Sequence, residues 1–170
     1  DTKMASVVLS SPDDKYIISS RTISSTLISL FSPSLTPVTC GADNKDNLSK
    51  DDEFVFIEAC HYLIETEQDS DVMLDLGGYY YDKNRFDLAE KYYLMAFNAG
   101  NKNSSIGLGY IYYYGRNGEV DYKKAFHYFS IAKENNDYEA AMKIADMYRN
   151  GYGVEKDNNK YKEILLEIFD

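Results

Sequence analysis

Apolar residues recur at helical spacing through most of the chain beyond residue 51. In residues 51–66, Phe54, Ile57, Cys60 and Ile64 follow one another at intervals of three or four positions. That spacing places them on one face of a helix. We therefore predict a helix over 51–66, which would cap the N-terminal end of a helical array.

The same apolar, glycine and tyrosine positions return at a fixed distance along the rest of the chain. Residues 36 positions apart match as follows: Leu108 with Ile144, Gly109 with Ala145, Tyr112 with Tyr148, Gly115 with Gly151, Asp121 with Asp157, and Lys124 with Lys160. An earlier copy containing Leu76, Gly77 and Tyr80 precedes the middle one by 32 positions. Self-similarity at this period is typical of stacked helix-turn-helix units. We predict three units, at residues 71–100, 103–135 and 139–170.

Matching small and acidic residues indicate how each unit is built. Gly77, Gly109 and Ala145 stand at one position of the first helices, where a small side chain lets two helix axes approach closely. Asp121 and Asp157 each follow a glycine-containing turn, where a carboxylate is suited to cap the second helix. Each unit is therefore predicted to be a tight helical hairpin.

These positions resemble those of two related repeat families. Residues 144–160 read IADMYRNGYGVEKDNNK and are similar to the Sel1-like repeat, whose pattern is LGxxYxxGxGVxxDxxKA, and the run from Leu108 resembles it equally. Residues 71–100 are closer to a tetratricopeptide repeat. Tyr161 departs from the pattern, which has a small alanine there, so we expect altered packing of the last helix. The resemblance implies a mainly α fold, an alpha-alpha superhelix, and a non-catalytic scaffold that binds proteins.

The first fifty residues differ in composition from the rest of the chain. They contain all three prolines but only one of the seventeen tyrosines. Two apolar segments, 6–9 and 16–18, flank a turn-rich stretch and predict a β-hairpin, and residues 23–31 predict a short helix. This order resembles the opening of the elongin-C and BTB/POZ fold. The alternative is a small hairpin-and-helix module or a partly disordered arm, and in either case 1–50 is predicted to be separate from a helical domain over 51–170.

Charge and cysteine content exclude several classes of function. The chain carries 28 acidic and 18 basic residues, and its formal net charge of -10 would repel a phosphate backbone, so we expect no nucleic-acid partner. No segment approaches the roughly 20 apolar residues of a spanning helix, so we expect no membrane insertion. Cys40 and Cys60 match no metal-ligand spacing and fit a reducing compartment. We predict a cytoplasmic protein, with a secreted effector left open.

No set of residues in the sequence carries catalytic chemistry. His61 and His127 belong to different predicted helices, and neither is accompanied by a nucleophile, metal ligands or a phosphate-binding loop. We therefore predict that the protein is not an enzyme and that it holds no cofactor and no metal.

The repeat register predicts which side chains would line the concave face of the array. They are the residues of the first helices that flank the core positions: Leu74, Asp75, Tyr81 and Asp82 in the first unit, Ile106, Tyr110, Tyr113 and Tyr114 in the second, and Met142, Asp146 and Arg149 in the third. Tyrosine dominates the middle unit, and tyrosine is a frequent anchor in protein interfaces. The acidic residues around it favour a basic or neutral protein or peptide.

The sequence therefore predicts a protein-interaction scaffold. An alternative is a ubiquitin-ligase substrate adaptor, which would require an elongin-C/BTB-like fold in the first fifty residues. The identity of the partner, the source, the oligomeric state, and whether the chain is part of a longer array all stay open.

Overall fold

The computed structural model describes residues 6–10, 15–19 and 50–169. The chain divides into two compact units, 1–47 and 48–170. In the first unit, strands β1 (Ser6–Ser10) and β2 (Lys15–Ser19) pair antiparallel, with Val8 opposite Ile17. The short helix predicted over 23–31 lies outside the described residues.

The second unit is built from helices. Residues 50–169 form seven of them: α1 (Lys50–Glu67), α2 (Ser70–Asp82), α3 (Phe86–Asn98), α4 (Ser104–Tyr114), α5 (Tyr122–Glu134), α6 (Tyr138–Asn150) and α7 (Asn158–Phe169). Helices α2 and α3, α4 and α5, and α6 and α7 pack as hairpins, and each hairpin packs against the next. Helix α1 packs against α2. The result is an all-helical repeat array, as the sequence predicts.

Two apolar cores join the helices. One is centred on α1, α2 and α3 and contains Cys60, Leu76 and Tyr79, and the other runs from α3 to α7. The second core contains Leu108 and Ile144, which are equivalent residues of successive units and are almost completely buried. Because each unit buries its face only against a neighbour, the stability of the array depends on stacking.

Glycines on the first helices make room for aromatic rings from the second helices. The ring of Tyr93 on α3 lies between Gly77 on α2 and Gly107 on α4, and a Cβ atom built on Gly77 would stand 2.5 Å from Cδ1 of that ring. In the next unit, a Cβ on Gly109 would stand 2.5 Å from Cδ1 of Phe129. The absence of a side chain at these positions sets the spacing between helices.

Aspartates and glycines mark the helix ends. Oδ1 of Asp121 accepts a hydrogen bond from the backbone N–H of Lys124 at 2.9 Å, and Asp157 caps α7 in the same way, as the sequence predicts. Asp69 and Asp137 cap α2 and α6. Gly115 ends α4 in the left-handed region at φ 62°. These caps satisfy backbone groups that a helix end leaves unpaired.

The last helix accommodates the residue that departs from the repeat pattern. Tyr161 is half-buried against the second core, and the guanidinium of Arg149 lies 5.5 Å from the centre of its ring. Helix α7 packs along α6, and its Ile164 is buried. The large side chain thus lies at the edge of the helix pair, where Arg149 covers it.

Replacing Gly109 by alanine tests the close approach of ring and glycine. In an exposed helix this change would add about 1 kcal/mol of stability through helix propensity. Here the new methyl group would collide with the fully buried Phe129 ring, so we expect the free energy of unfolding to fall by about 1 kcal/mol or more. Denaturant midpoints measure it, with exposed Lys162→Ala on α7 as the control. A midpoint that stays constant or rises for Gly109→Ala would contradict the packing.

Candidate functional site

A continuous cluster of tyrosine rings lies where the second and third units meet. We call Tyr110, Tyr113, Tyr114, Tyr122 and Tyr152 the tyrosine cluster. The rings of Tyr110 and Tyr114 stack with their centres 6.0 Å apart, and Tyr113 meets Tyr114 edge to face at 5.0 Å. Tyr113 also meets Tyr122, which stacks on Tyr152 at 4.5 Å. The cluster therefore links α4, the beginning of α5 and the turn after α6.

A lysine from the next unit lies among these rings. Nζ of Lys143 on α6 is 5.2 Å from the centre of the Tyr113 ring and 5.5 Å from that of Tyr110. The same nitrogen donates a hydrogen bond of 3.0 Å to the hydroxyl oxygen of Tyr114. A cation at this distance is attracted by the electron-rich face of an aromatic ring. Lys143 therefore holds the three tyrosines of α4 in a fixed arrangement.

Burial and nearby charges change the ionisation of these groups. Burial, together with the Glu139 carboxylate that accepts a 3.2 Å hydrogen bond from the Tyr110 hydroxyl, raises the pKa of Tyr110 well above its ordinary value. Burial also raises the pKa of Tyr113, although Lys143 acts against it. Burial alone would lower the pKa of Lys143, but the Tyr114 hydroxyl and Asp146 raise it overall. The raised pKa values keep Tyr110 and Tyr113 protonated and Lys143 cationic beyond the ordinary pH range of these side chains.

The three tyrosines of α4 differ in how much surface they offer. Tyr114 is 46% exposed, whereas Tyr110 and Tyr113 are half-buried. Tyr110 and Tyr113 both contact the buried ring of Phe129 edge to face, at 5.3 and 6.0 Å. Tyr110 and Tyr113 therefore support the core as well as the surface, and Tyr114 is the most accessible of the three.

The other residues predicted for the concave face divide between core and surface. Leu74 and Ile106 pack against the second core and are half-buried. On α2, Asp75 is half-buried and Asp82 is exposed, while Tyr81 meets Phe86 edge to face at 5.2 Å.

On α6 the predicted residues are more open to solvent. Met142 is 41% exposed, and Asp146 and Arg149 form an ion pair of 3.4 Å on the helix surface. An exposed pair of this kind contributes little stability. Both charges are therefore available to a partner, although they partly offset one another.

Sequence reasoning missed Lys143, Tyr122 and Tyr152. A signal for Lys143 was present, because the repeat register places it level with Asp75, which was included in the first unit. Tyr122 is the first residue of α5, and Tyr152 lies in the turn that follows α6. The register of the first helices does not cover those positions, so only the fold reveals that they join the cluster.

A concavity lies beside the turns that join the two helices within the second unit and within the third unit. It has a volume of about 540 Å³ and is lined by Tyr112, Tyr122, Gly153 and the turn segment 117–121, with Lys123 and Lys124. The Glu90 carboxylate on α3 accepts hydrogen bonds from Tyr112 and from Asn117 at this edge. The side chains that line it carry both positive and negative charges. They include neither a histidine nor a cysteine that could act as a base or a nucleophile.

Neither histidine takes part in a reactive arrangement. Nε2 of His61 lies 2.8 Å from the Tyr92 hydroxyl, and the two rings stack, whereas His127 is exposed on α5. Within residues 50–169 no group of three His, Cys, Asp or Glu side chains could hold a metal ion. In the described part of the chain, no helix is both long enough and apolar enough to cross a bilayer.

Comparison with known families agrees with the helical array. The model of the Sel1 repeat matches residues 70–101, 104–137 and 139–160. The first two matches are the hairpins α2–α3 and α4–α5, and the third covers α6, the turn after it and the first three residues of α7. The chain belongs to the Sel1 repeat family. Sel1 repeat proteins generally act as protein-interaction scaffolds, and Sel1 repeat domains are non-catalytic binding modules. No catalytic family was found.

Two plant proteins and one bacterial structure are similar to this Sel1 repeat chain. It is 26% identical over 96 residues to the ERAD-associated E3 ubiquitin-protein ligase component HRD3B of Arabidopsis thaliana, and 25% identical to HRD3A. Those matches cover 56% of this chain but only 16% and 14% of the relatives' lengths. The crystal structure of a Sel1 repeat protein from Oxalobacter formigenes superposes with a TM-score of 0.56 at 22% identity, covering 66% of this chain and 87% of that one. This structure supports the fold alone.

The resemblance of the first residues to elongin-C and BTB/POZ proteins finds no support. None of these comparisons supports it, and most of the residues that would carry it lie outside the described part of the chain. A β-hairpin followed by a helix is common to many folds, which is why the order of elements alone was insufficient.

The raised tyrosine pKa values predict a loss of stability at alkaline pH. They belong to Tyr79, Tyr80, Tyr92, Tyr93, Tyr110, Tyr112, Tyr113 and Tyr128. Above a pH of about 10 these tyrosines ionise in the unfolded chain but keep their protons in the folded chain. The unfolded state then binds fewer protons, so the free energy of unfolding falls as pH rises. Denaturant midpoints at pH 8 and pH 10.5 measure the fall, which should be smaller in Tyr110→Phe. A midpoint that does not change over this range would contradict the burial of these hydroxyls.

Proposed function

We propose that this Sel1 repeat protein is a non-catalytic scaffold that binds a partner protein or peptide through the tyrosine cluster and the neighbouring first-helix residues. The proposal rests mainly on one observation: a partly exposed set of aromatic rings fixed in place by Lys143. It is supported by the general role of Sel1 repeats as protein-binding modules.

Fixed aromatic rings are suited to binding at low entropic cost. A tyrosine has only two rotatable side-chain bonds, and here the stack with Tyr110 and the hydrogen bond from Lys143 already restrict Tyr114. Binding would then immobilise little that is free in the unbound protein. Tyr114 offers the largest exposed area of the three rings and is the proposed centre of the contact.

Charge around the cluster favours a partner that is basic or neutral. Asp82 is exposed on α2, Glu139 lies beside Tyr110, and the chain as a whole carries a net charge of -10. Lys143 and Arg116, whose guanidinium carbon lies 5.4 Å from the centre of the Tyr114 ring, offset part of this charge close to the rings. We therefore propose that aromatic contacts supply most of the affinity and that long-range charge mainly raises the association rate. The cytoplasmic location inferred from the sequence stays a prediction.

A second candidate function follows from the names of the plant relatives. Both are components of an ERAD-associated E3 ubiquitin-protein ligase, so this chain could be a subunit of such a complex. Its repeats, rather than an elongin-C-like module, would then make the contact. The test is to purify the protein from its native cell and supply ubiquitin, the activating and conjugating enzymes, and ATP. Ubiquitin transfer by the purified complex would favour this candidate, and its absence would exclude it while leaving the scaffold proposal intact.

Site-specific photocross-linking would identify the partner and the surface at once. A photoreactive phenylalanine analogue replaces Tyr114 in one sample and the exposed His127 on α5 in another. We expect the partner to cross-link from position 114 and not from position 127. Cross-linking from position 127 alone would place the binding surface on the second helices and contradict the proposal.

Affinity for the partner identified in this way should depend on Tyr114. Tyr114→Ala removes a ring without opening the core. It should therefore raise the dissociation constant by about 30-fold, as truncation of a hot spot does. His127→Ala should leave it unchanged. Titration calorimetry measures both dissociation constants. Stopped-flow mixing at low and high salt measures the association rate, which should fall as salt is added. A folded Tyr114→Ala variant with full affinity would show that the cluster is not the binding site.

A further inference from the structure

The dipeptide Asn-Gly occurs twice in the chain, each time within the tripeptide Arg-Asn-Gly. One copy is Asn117-Gly118 in the turn between α4 and α5, and the other is Asn150-Gly151 at the end of α6. An asparagine followed by glycine is chemically labile, because glycine has no Cβ to keep its backbone nitrogen away from the asparagine side chain. Since the two copies share one local sequence, a difference in their reactivity must come from the structure around them.

The reaction at such a dipeptide is deamidation through a cyclic imide. The glycine backbone nitrogen loses its proton and forms a bond to Cγ of the asparagine, while the Cγ–Nδ2 bond breaks and ammonia leaves. Water then hydrolyses one of the two C–N bonds of the imide, which gives aspartate or isoaspartate. Water is the only co-reactant. Ring closure requires the asparagine to rotate until the glycine nitrogen reaches Cγ, so hydrogen bonds that prevent this rotation protect the residue.

The end of α6 protects the second copy. The N–H of Gly151 donates a hydrogen bond of 2.8 Å to the carbonyl oxygen of Met147. Nδ2 of Asn150 donates one of 2.9 Å to the carbonyl oxygen of Asp146. Both bonds belong to the last turn of the helix. The imide can therefore form at Asn150 only after that turn has opened by local unfolding.

The first copy lies in an exposed turn. Asn117 and Gly118 are both exposed, and the N–H of Gly118 makes one turn bond of 3.0 Å to the carbonyl oxygen of Gly115. Beyond the adjacent residues, no heavy atom lies within 4 Å of a Cβ built on Gly118, whose φ is 125°. The backbone therefore has room to rotate. Ring closure here breaks that turn bond and one side-chain bond, and it leaves the helices intact.

The side-chain bond of Asn117 connects two units of the array. Its Nδ2 donates a hydrogen bond of 2.8 Å to Oε2 of Glu90 on α3, and the other carboxylate oxygen of Glu90 accepts a bond from the Tyr112 hydroxyl on α4. Glu90 belongs to the first unit, whereas Asn117 and Tyr112 belong to the second. The amide of Asn117 is therefore part of the contact between the first and second units.

We propose that Asn117 is a site of spontaneous deamidation, and that its modification weakens the contact between the first and second units. The new carboxylate at position 117 has no N–H to donate to Glu90. Two negative charges then stand where one hydrogen bond stood, and like charges at this distance repel one another. Isoaspartate also adds one carbon atom to the main chain of the turn. Both products thus act against the same contact.

Peptide mapping of the full chain tests the modification. Trypsin cleaves after Arg116 and Arg149, so the two sites fall in separate peptides, 117–123 and 150–156. Mass spectrometry follows the replacement of NH2 by OH during incubation at mildly alkaline pH, in the folded chain and in guanidinium chloride. Folding should slow the reaction at Asn150 more than at Asn117 by a factor of about 10 or more, because only Asn150 requires a helix to open. A smaller factor, or greater protection of Asn117, overturns the proposal.

Denaturant midpoints test the effect on the array. Asn117→Asp provides the aspartate product in every molecule and should lower the midpoint, and Glu90→Gln in the same chain should reduce that shift to about half or less, since it removes the opposing carboxylate. A midpoint that stays constant, or an equal shift in both backgrounds, overturns the proposed weakening.

An aged sample connects the modification with its effect. The midpoint of the wild-type chain should fall after the incubation, whereas that of Asn117→Gln should stay constant, because a glutamine needs a six-membered ring that closes far more slowly. An equal fall in both chains would assign the loss to another residue and overturn the proposal.

Discussion

The close approach of aromatic rings to glycine backbones is the contact on which the array depends. Tyr93 fills the space between Gly77 and Gly107, and Phe129 lies equally close to Gly109. A ring held in this way fixes the distance between first and second helices and also between one unit and the next. Since each unit is stable only against its neighbours, this spacing is repeated along the chain and determines where every other side chain lies.

The candidate site is a consequence of that spacing. The core positions of α4 use Leu108, Gly109 and Tyr112, and the remaining tyrosines of the helix lie along the border with the third unit. Lys143 reaches them because α6 packs at a fixed distance from α4. A surface that combines partly exposed rings with the half-buried lysine is therefore formed by two units together, and neither unit has it alone.

Local patterns made much of the fold predictable from sequence. The 36-residue register identified the Sel1 repeats, and glycine and aspartate positions correctly located the helix contacts and the caps at Asp121 and Asp157. What the sequence did not reveal depends on contacts between units. Lys143 and Tyr152 join the tyrosine cluster only after stacking, and the elongin-C/BTB resemblance rested on element order without residues to support it. The partner-binding role of the first-helix residues stays a prediction.

A double-mutant cycle between Tyr93 and Gly107 tests the central claim most directly. Gly107→Ala is measured alone and in a Tyr93→Leu background, with the free energy of unfolding taken from denaturant titrations. If the ring fixes the spacing between units, the alanine destabilises the chain with the ring present and is harmless or stabilising without it. The coupling free energy is then about 1 kcal/mol or more. Equal effects in the two backgrounds, and hence no coupling, would contradict the account.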